Sequence, residues 1–217
     1  MRQQVPNALT VLRLVLAGAF FLVLNQYRYG EPQPQMPWLW LMIAVVLFIL
    51  AAVTDALDGH LARKWKAEST FGRIMDPFCD KVLVIGALIY LAGPRFVDPD
   101  AVAAGSFFNM ASGVYPWMVV VVLARELLVT GIRGELEGSG VKFGANVFGK
   151  LKMILQSVVV PVVLGIVALD PVRNGFDAFS WLTWVRDVLV YATVAVTVLS
   201  GWPYLSSAVR LMRAPAD

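Results

Sequence analysis

Apolar residues along this chain come in blocks of about 20, the length needed to cross a bilayer core as a helix. Short stretches rich in Gly, Pro and charge separate the blocks. The pattern predicts six spans. The first runs about Ala8 to Tyr27 and stops before Gly30, Pro32 and Pro34; the second opens at Pro37-Trp38, stays apolar to about Asp55 and keeps a helical pattern through Asp58 to Arg63. The third is placed from Asp76-Pro77, with proline in its first turn, to Gly93-Pro94. The fourth covers about Pro116 to Thr130 and continues to Glu135, the fifth Gly149 to Leu169, and the sixth Trp181 to Val209. Pro161 and Pro203 are expected to kink the last two. Ala17, Gly18 and Gly165 are read as helix-packing positions.

Composition agrees with a membrane protein. The chain has 217 residues, 59% of them hydrophobic and only 15% charged, well outside the range of soluble domains. This length fits one compact all-α membrane domain, residues 1–217. The net charge of +3 is too small for a nucleic-acid footprint and reads as a topology signal. Arg2, Arg63, Lys64, Lys66, Arg73, Arg133, Lys142, Lys150, Lys152, Arg210 and Arg213 fall on one side. Arg28, Arg95 and Arg173 fall on the other, diluted by Glu31, Asp98, Asp100, Asp170 and Asp177. Positive loops face the cytoplasm, so both termini are expected there. Trp38, Trp40, Trp117, Trp181, Trp184 and Trp202 lie near span ends, as interfacial anchors do. The first residues, M-R-Q-Q-V-P, lack a small-residue cleavage site and are read as the mature start. Cys79 is the single cysteine and reads as a small buried side chain.

Within this apolar frame lies a run of acids: Asp55, Asp58, Gly59, Ala62 and Arg63, then Gly72, Asp76 and Asp80, spaced D-x2-D-G-x2-A-R-x8-G-x3-D-x3-D. A charged side chain at the centre of a membrane helix costs ~2.5–3.5 kcal/mol, so four need compensation. Asp55 and Asp58 share one helix face, and Asp76 and Asp80 share a face of the next helix. A turn within residues 64–75 lets the faces meet. His60 is the only histidine and sits at a variable position of the frame, so an all-oxygen site points to Mg²⁺ or Mn²⁺ rather than zinc. Two ions fit four carboxylates better than one and suit phosphoryl displacement. Gly59 and Gly72 suggest close approach of a ligand or backbone, and Arg63 offers a fork for phosphate oxygens. The bland reading is an ion-pair cluster with Arg63, Lys66 and Lys81, which leaves the paired glycines without a role.

The full frame resembles the signature of the CDP-alcohol phosphotransferase family, with every fixed position present. N-A-L-T-x-x-R at Asn7 to Arg13, A-R-E at Ala124 to Glu126, Arg133, G-K-x-K at Gly149 to Lys152 and the stretch from Thr70 to Lys81 resemble its bacterial phosphatidylglycerophosphate synthase branch. The resemblance implies six transmembrane helices, a homodimer and a polar cavity open to the cytoplasm, in the bacterial inner membrane. It implies two divalent metals on Asp55, Asp58, Asp76 and Asp80, and CDP contacts from Asp58, Gly59, Ala62, Arg63 and Gly72. Asp80 would be the general base. The donor would be CDP-diacylglycerol and the acceptor sn-glycerol 3-phosphate, giving phosphatidylglycerophosphate and CMP. Siblings use inositol phosphate, serine or phosphatidylglycerol as acceptor.

A phosphorylated acceptor needs cations, and Arg125, Arg133, Lys150 and Lys152 are the candidates. Arg125 and Arg133 come first, being eight apart on one helix face. The rival is pairing with Glu126 and Glu135, and for Lys150 and Lys152 a purely topological role. Asn7 and Arg13 are read as capping and anchoring the first span, with a substrate role as the weaker alternative. Two other classes compete with an enzyme. A cation transporter would place its acids at the midplane of repeated, broken helices, and no repeat is visible. A scaffold leaves the acids unexplained.

Overall fold

The computed structural model describes residues 4–30, 36–65, 70–138, 147–169 and 181–212, and side chains for 7–30, 36–59, 75, 78–135, 147–169 and 181–209. The described residues form six long helices and two short ones: α1 (Gln4–Leu24), α2 (Pro37–Trp65), α3 (Thr70–Leu91), a 3-10 turn (Pro94–Phe96), α4 (Pro99–Ala103), α5 (Pro116–Gly138), α6 (Val147–Leu169) and α7 (Trp181–Met212). Each long helix coincides with one predicted span. Four contain stretches long and apolar enough to cross a membrane: Asn7–Leu24, Pro37–Gly59, Val147–Leu169 and Trp181–Val209. The other two carry more charge. Asp76, Asp80 and Lys81 lie in the first half of α3, and Arg125, Glu126, Arg133 and Glu135 in α5.

One boundary differs from expectation. The third helix starts at Thr70 rather than Asp76, so Pro77 lies inside it. A proline there removes one backbone hydrogen bond, and the apolar run from Val82 to Leu91 carries the helix on. Pro161 and Pro203 likewise lie inside α6 and α7.

The packing follows from where the small and aromatic residues fall. α1 lies against α2 and α3, α6 against α2 and α7, and α5 against α7, with α3 also touching α2, α5 and α6. Phe20 meets Phe48 across α1 and α2 with ring centroids 5.6 Å apart, and Leu24, Leu41, Leu91, Met118, Val163 and Leu164 complete the buried centre. Phe21 stacks on Tyr90 at 5.3 Å. Gly86 makes this approach possible: a Cβ there would lie 2.5 Å from Phe21 Cζ. The glycines read from sequence as packing positions do less. A Cβ at Gly18 or Gly165 would meet nothing within 4 Å, Gly18 being exposed and Gly165 only partly buried, whereas Ala17 is buried. Cys79 is buried as expected. The outer surface is apolar, with Val15, Leu22, Val46, Ile49, Val188 and Leu199 exposed, as on a chain solvated by lipid tails rather than water.

The connection from α3 to α5 is held by polar side chains. Asp98 caps α4, its carboxylate accepting from the amides of Asp100 and Ala101. Buried Ser112 donates to Leu91 O at 2.6 Å and accepts from the Val114 amide. Arg186 of α7 donates to Ala111 O at 2.6 Å. Gly113 has φ of +68°, and a Cβ there would lie 2.6 Å from Asp187 Oδ1. Trp117, Trp181 and Trp184, at the starts of α5 and α7, are exposed at this end. The acids of interest are at the other end of the bundle.

Candidate functional site

Six long helices running alternately up and down bring the start of α1, α3 and α6 to the same end as the finish of α2, α5 and α7. Thr54, Asp55 and Asp58 follow one another down the last turns of α2. Thr54 donates to Ala51 O at 2.7 Å, which satisfies its hydroxyl within the helix. The Asp55 side chain is 43% exposed and that of Asp58 only 4%. Gly59 is partly buried beside them.

Their partner comes from α1. Arg13 is buried, its side chain 1% exposed. Its Nη1 lies 2.5 Å from Asp55 Oδ1, an ion pair at an angle outside hydrogen-bonding geometry. Its Nη2 donates to Asp58 Oδ2. The guanidinium therefore occupies a cationic position common to both carboxylates. The sequence reading gave Arg13 an anchoring role first and a substrate role second, and paired it with no acid. The signal that could have found it is that a buried guanidinium requires acids, and Asp55 and Asp58 are the acids one helix away.

Asp80 projects from α3 with an exposed side chain, within electrostatic reach of Asp55, Arg13, Lys152 and Glu126. Among the described residues, Asp55, Asp58 and Asp80 do not close into a three-ligand cage. The side chains of Ala62, Arg63 and Asp76, and the surroundings of Gly72, lie outside the described residues, though all four positions are helical. The carboxylate oxygens present are hard donors of the kind Mg²⁺ and Mn²⁺ take. The Arg13 guanidinium shows that Asp55 and Asp58 are aimed at one shared cation position. On both counts the residues fit a divalent ion.

Beside the acids lies a second, cationic cluster centred on Glu126 of α5, itself buried. Glu126 accepts Arg125 Nη1 at 3.1 Å and pairs with Lys152 Nζ of α6. Two cations on one carboxylate leave this cluster a net positive charge. Arg125 Nη2 also donates to Ser200 Oγ of α7 at 2.8 Å, while its buried Nε has no hydrogen-bond partner among the described residues. Ser200 in turn donates to Thr197 O, and Gln156 of α6 donates to Thr197 Oγ1 at 3.3 Å. Thr130 donates to Glu126 O at 2.7 Å and accepts from Lys81 Nζ at 2.6 Å, tying α3 to α5. Lys152 is also within electrostatic reach of Asp80, so the acidic and cationic clusters adjoin.

The four expected acceptor cations thus divide. Lys152, buried, and Arg125, partly buried, converge on Glu126, whereas Arg133 and Lys150 have exposed side chains. The pairing of Arg125 with Glu126, weighed from sequence as the bland alternative, is present, and Lys152 shares it. Glu126 entered the sequence reading through the A-R-E motif and as a rival partner of Arg125, not as a site residue; Ser200 and Gln156 were not singled out, and their types alone carry no signal at those positions.

Comparison with known proteins bears on the chain as a whole. The chain is 31% identical to the CDP-diacylglycerol–glycerol-3-phosphate 3-phosphatidyltransferase of Cereibacter sphaeroides, over 98% of this chain and 99% of the relative. It is 33% identical to the protein of the same name from Bacillus subtilis, over 93% of each, and 29% identical to that from Haemophilus influenzae, over 96% and 95%. The model of the CDP-alcohol phosphatidyltransferase family matches residues 3–199, a span that takes in the aspartate frame, Arg13 and the Glu126 cluster, and the chain belongs to that family.

Proposed function

We propose that the protein transfers the phosphatidyl group of CDP-diacylglycerol to sn-glycerol 3-phosphate, forming phosphatidylglycerophosphate and CMP. One observation carries the reading: a net-positive buried cluster, Arg125 and Lys152 on Glu126, adjoins the carboxylates of Asp80 and Asp55. One side suits the diphosphate of a nucleotide-linked lipid with its metal ions, the other the phosphate of the acceptor. The names of the relatives fit the same pair of substrates.

In this reading Asp55, Asp58, Asp76 and Asp80 hold two divalent cations, Mg²⁺ or Mn²⁺. Held there, such ions would supply positive charge against the diphosphate and the departing CMP oxygen. The chain's own residues do the rest. Gly59, Ala62, Arg63 and Gly72 receive the CDP moiety, with Asp58 beside them. Arg125 and Lys152 bind the acceptor phosphate, and Arg133 and Lys150 draw it in from the surface. Asp80 accepts the proton of the acceptor hydroxyl. That oxygen forms a bond to the phosphorus bearing the diacylglycerol, and the bond from this phosphorus to CMP breaks. Orienting the hydroxyl next to the donor supplies much of the rate.

The same reading makes residues 1–217 one domain with six membrane helices. Its cavity and both termini face the cytoplasm at a bacterial inner membrane, and it works as a homodimer. The test is CMP release by purified protein from CDP-diacylglycerol with a panel of acceptors. Release with glycerol 3-phosphate and not with inositol phosphate, serine or phosphatidylglycerol is expected. Release with one of the others makes the protein a sibling enzyme. No release with any, together with cation flux in liposomes, makes it a transporter.

A further inference from the structure

Arg13 does more than anchor α1. A guanidinium with 1% of its side chain exposed is held by two carboxylates three residues apart on α2. Those carboxylates sit on the same turns of a rigid helix, so their spacing does not depend on Arg13. What the guanidinium supplies is charge. We propose that Arg13 is the resident counterion of the aspartate site: it compensates Asp55 and Asp58 when divalent ions are absent, and opposes the ions when they arrive. This rests on the reading that these aspartates hold metal.

The physical basis is direct. Two adjacent carboxylates, one of them buried, resist being ionised together unless a cation lies between them, and Arg, always protonated, is the cation suited to bridging two acids. A divalent ion on the same oxygens has the same sign as the guanidinium, so each weakens the other's hold. The functional consequence is a site that does not bind metal tightly until an anionic substrate brings further negative charge. Arg13 acts through the aspartates and does not itself touch the reacting atoms.

The test is thermal unfolding of the full chain in detergent, in EDTA and across a Mg²⁺ titration, for wild type and Arg13→Gln. Ligand that binds the folded state raises the melting temperature according to its concentration and affinity. The variant is expected to melt below wild type in EDTA and to regain most of the difference in Mg²⁺, with an apparent Mg²⁺ affinity ~10-fold tighter than wild type. An equal deficit in EDTA and Mg²⁺ would mean that Arg13 only packs, and would overturn the proposal. So would a weaker Mg²⁺ affinity in the variant. A wild type insensitive to Mg²⁺ overturns the metal reading itself, which separates the two failures. Arg13→Lys keeps one charge but reaches a single carboxylate. It is expected to lie between the two, and serves in place of the glutamine variant should that not fold in EDTA; a Lys variant with wild-type Mg²⁺ affinity and an equal deficit in EDTA and Mg²⁺ would again overturn the counterion role.

Discussion

Replacing Arg125 by alanine separates acceptor binding from simple structural support, because of how Glu126 is shared. In the wild type Glu126 accepts both Arg125 and Lys152. Removing Arg125 therefore leaves Glu126 paired, and the large penalty of an uncompensated buried charge does not arise. The structural loss is confined to the bonds to Glu126 Oε1 at 3.1 Å and Ser200 Oγ at 2.8 Å and the arginine stem lying beside Gly201. The phosphate of the acceptor loses a charge-assisted donor, worth ~1.5–3 kcal/mol, which is roughly ten- to a hundredfold in affinity. Steady-state CMP release is expected to show the KM for glycerol 3-phosphate raised by at least about tenfold. The KM for CDP-diacylglycerol should change much less. Arg125→Lys should recover part of the loss, since charge returns without the planar fork. A clear drop in melting temperature with unchanged acceptor kinetics would refute the reasoning and return the acceptor phosphate to Lys150 and Lys152.

Further outcomes follow from the same site. Excess EDTA should abolish CMP release and Mg²⁺ or Mn²⁺ restore it, and Asp76→Asn should lower turnover by orders of magnitude while the protein still inserts; full activity in EDTA, or near-normal turnover of the variant, contradicts the ligand assignment. Asp80→Asn should reduce turnover far more than affinity for CDP-diacylglycerol; equal losses would make Asp80 chiefly a ligand. At the opposite end of the bundle, Gly113→Ala should lower the melting temperature, since φ of +68° costs an L-residue ~1–2 kcal/mol and the new Cβ meets Asp187; an unchanged melting temperature would show that the turn readjusts freely.

The elements of this fold were legible because each has its own local signal. Long apolar runs broken by Gly and Pro placed all six long helices, and Pro116 and Trp181 were read correctly as the starts of α5 and α7. The aspartate frame was legible because its fixed spacing lies within two adjacent helices. What sequence did not reveal is pairing across long separations. Arg13 and Asp58 are 45 residues apart, and Arg125 and Ser200 are 75 apart; no periodicity links such positions. Glu126 was seen as a possible neutraliser of Arg125 but not as a hub shared with Lys152, which depends on how α5 and α6 approach. The start of α3 was misplaced for a different reason. Proline is favoured in a first helical turn, and that preference outweighed Thr70 to Met75, which the folded chain makes helical as well. Gly86 rather than Gly18 receives a neighbouring ring because that choice depends on which face of each helix turns inward.

The central claim is that the acceptor oxygen bonds to the phosphorus that carries the diacylglycerol. Product analysis by mass spectrometry tests it most directly, with CDP-diacylglycerol and sn-glycerol 3-phosphate labelled with ¹⁸O at its primary hydroxyl. The account predicts phosphatidylglycerophosphate that retains the label, with unlabelled CMP. Labelled cytidylyl glycerol phosphate together with phosphatidic acid would place the attack on the other phosphorus, and no acceptor-dependent lipid at all would remove the proposed reaction.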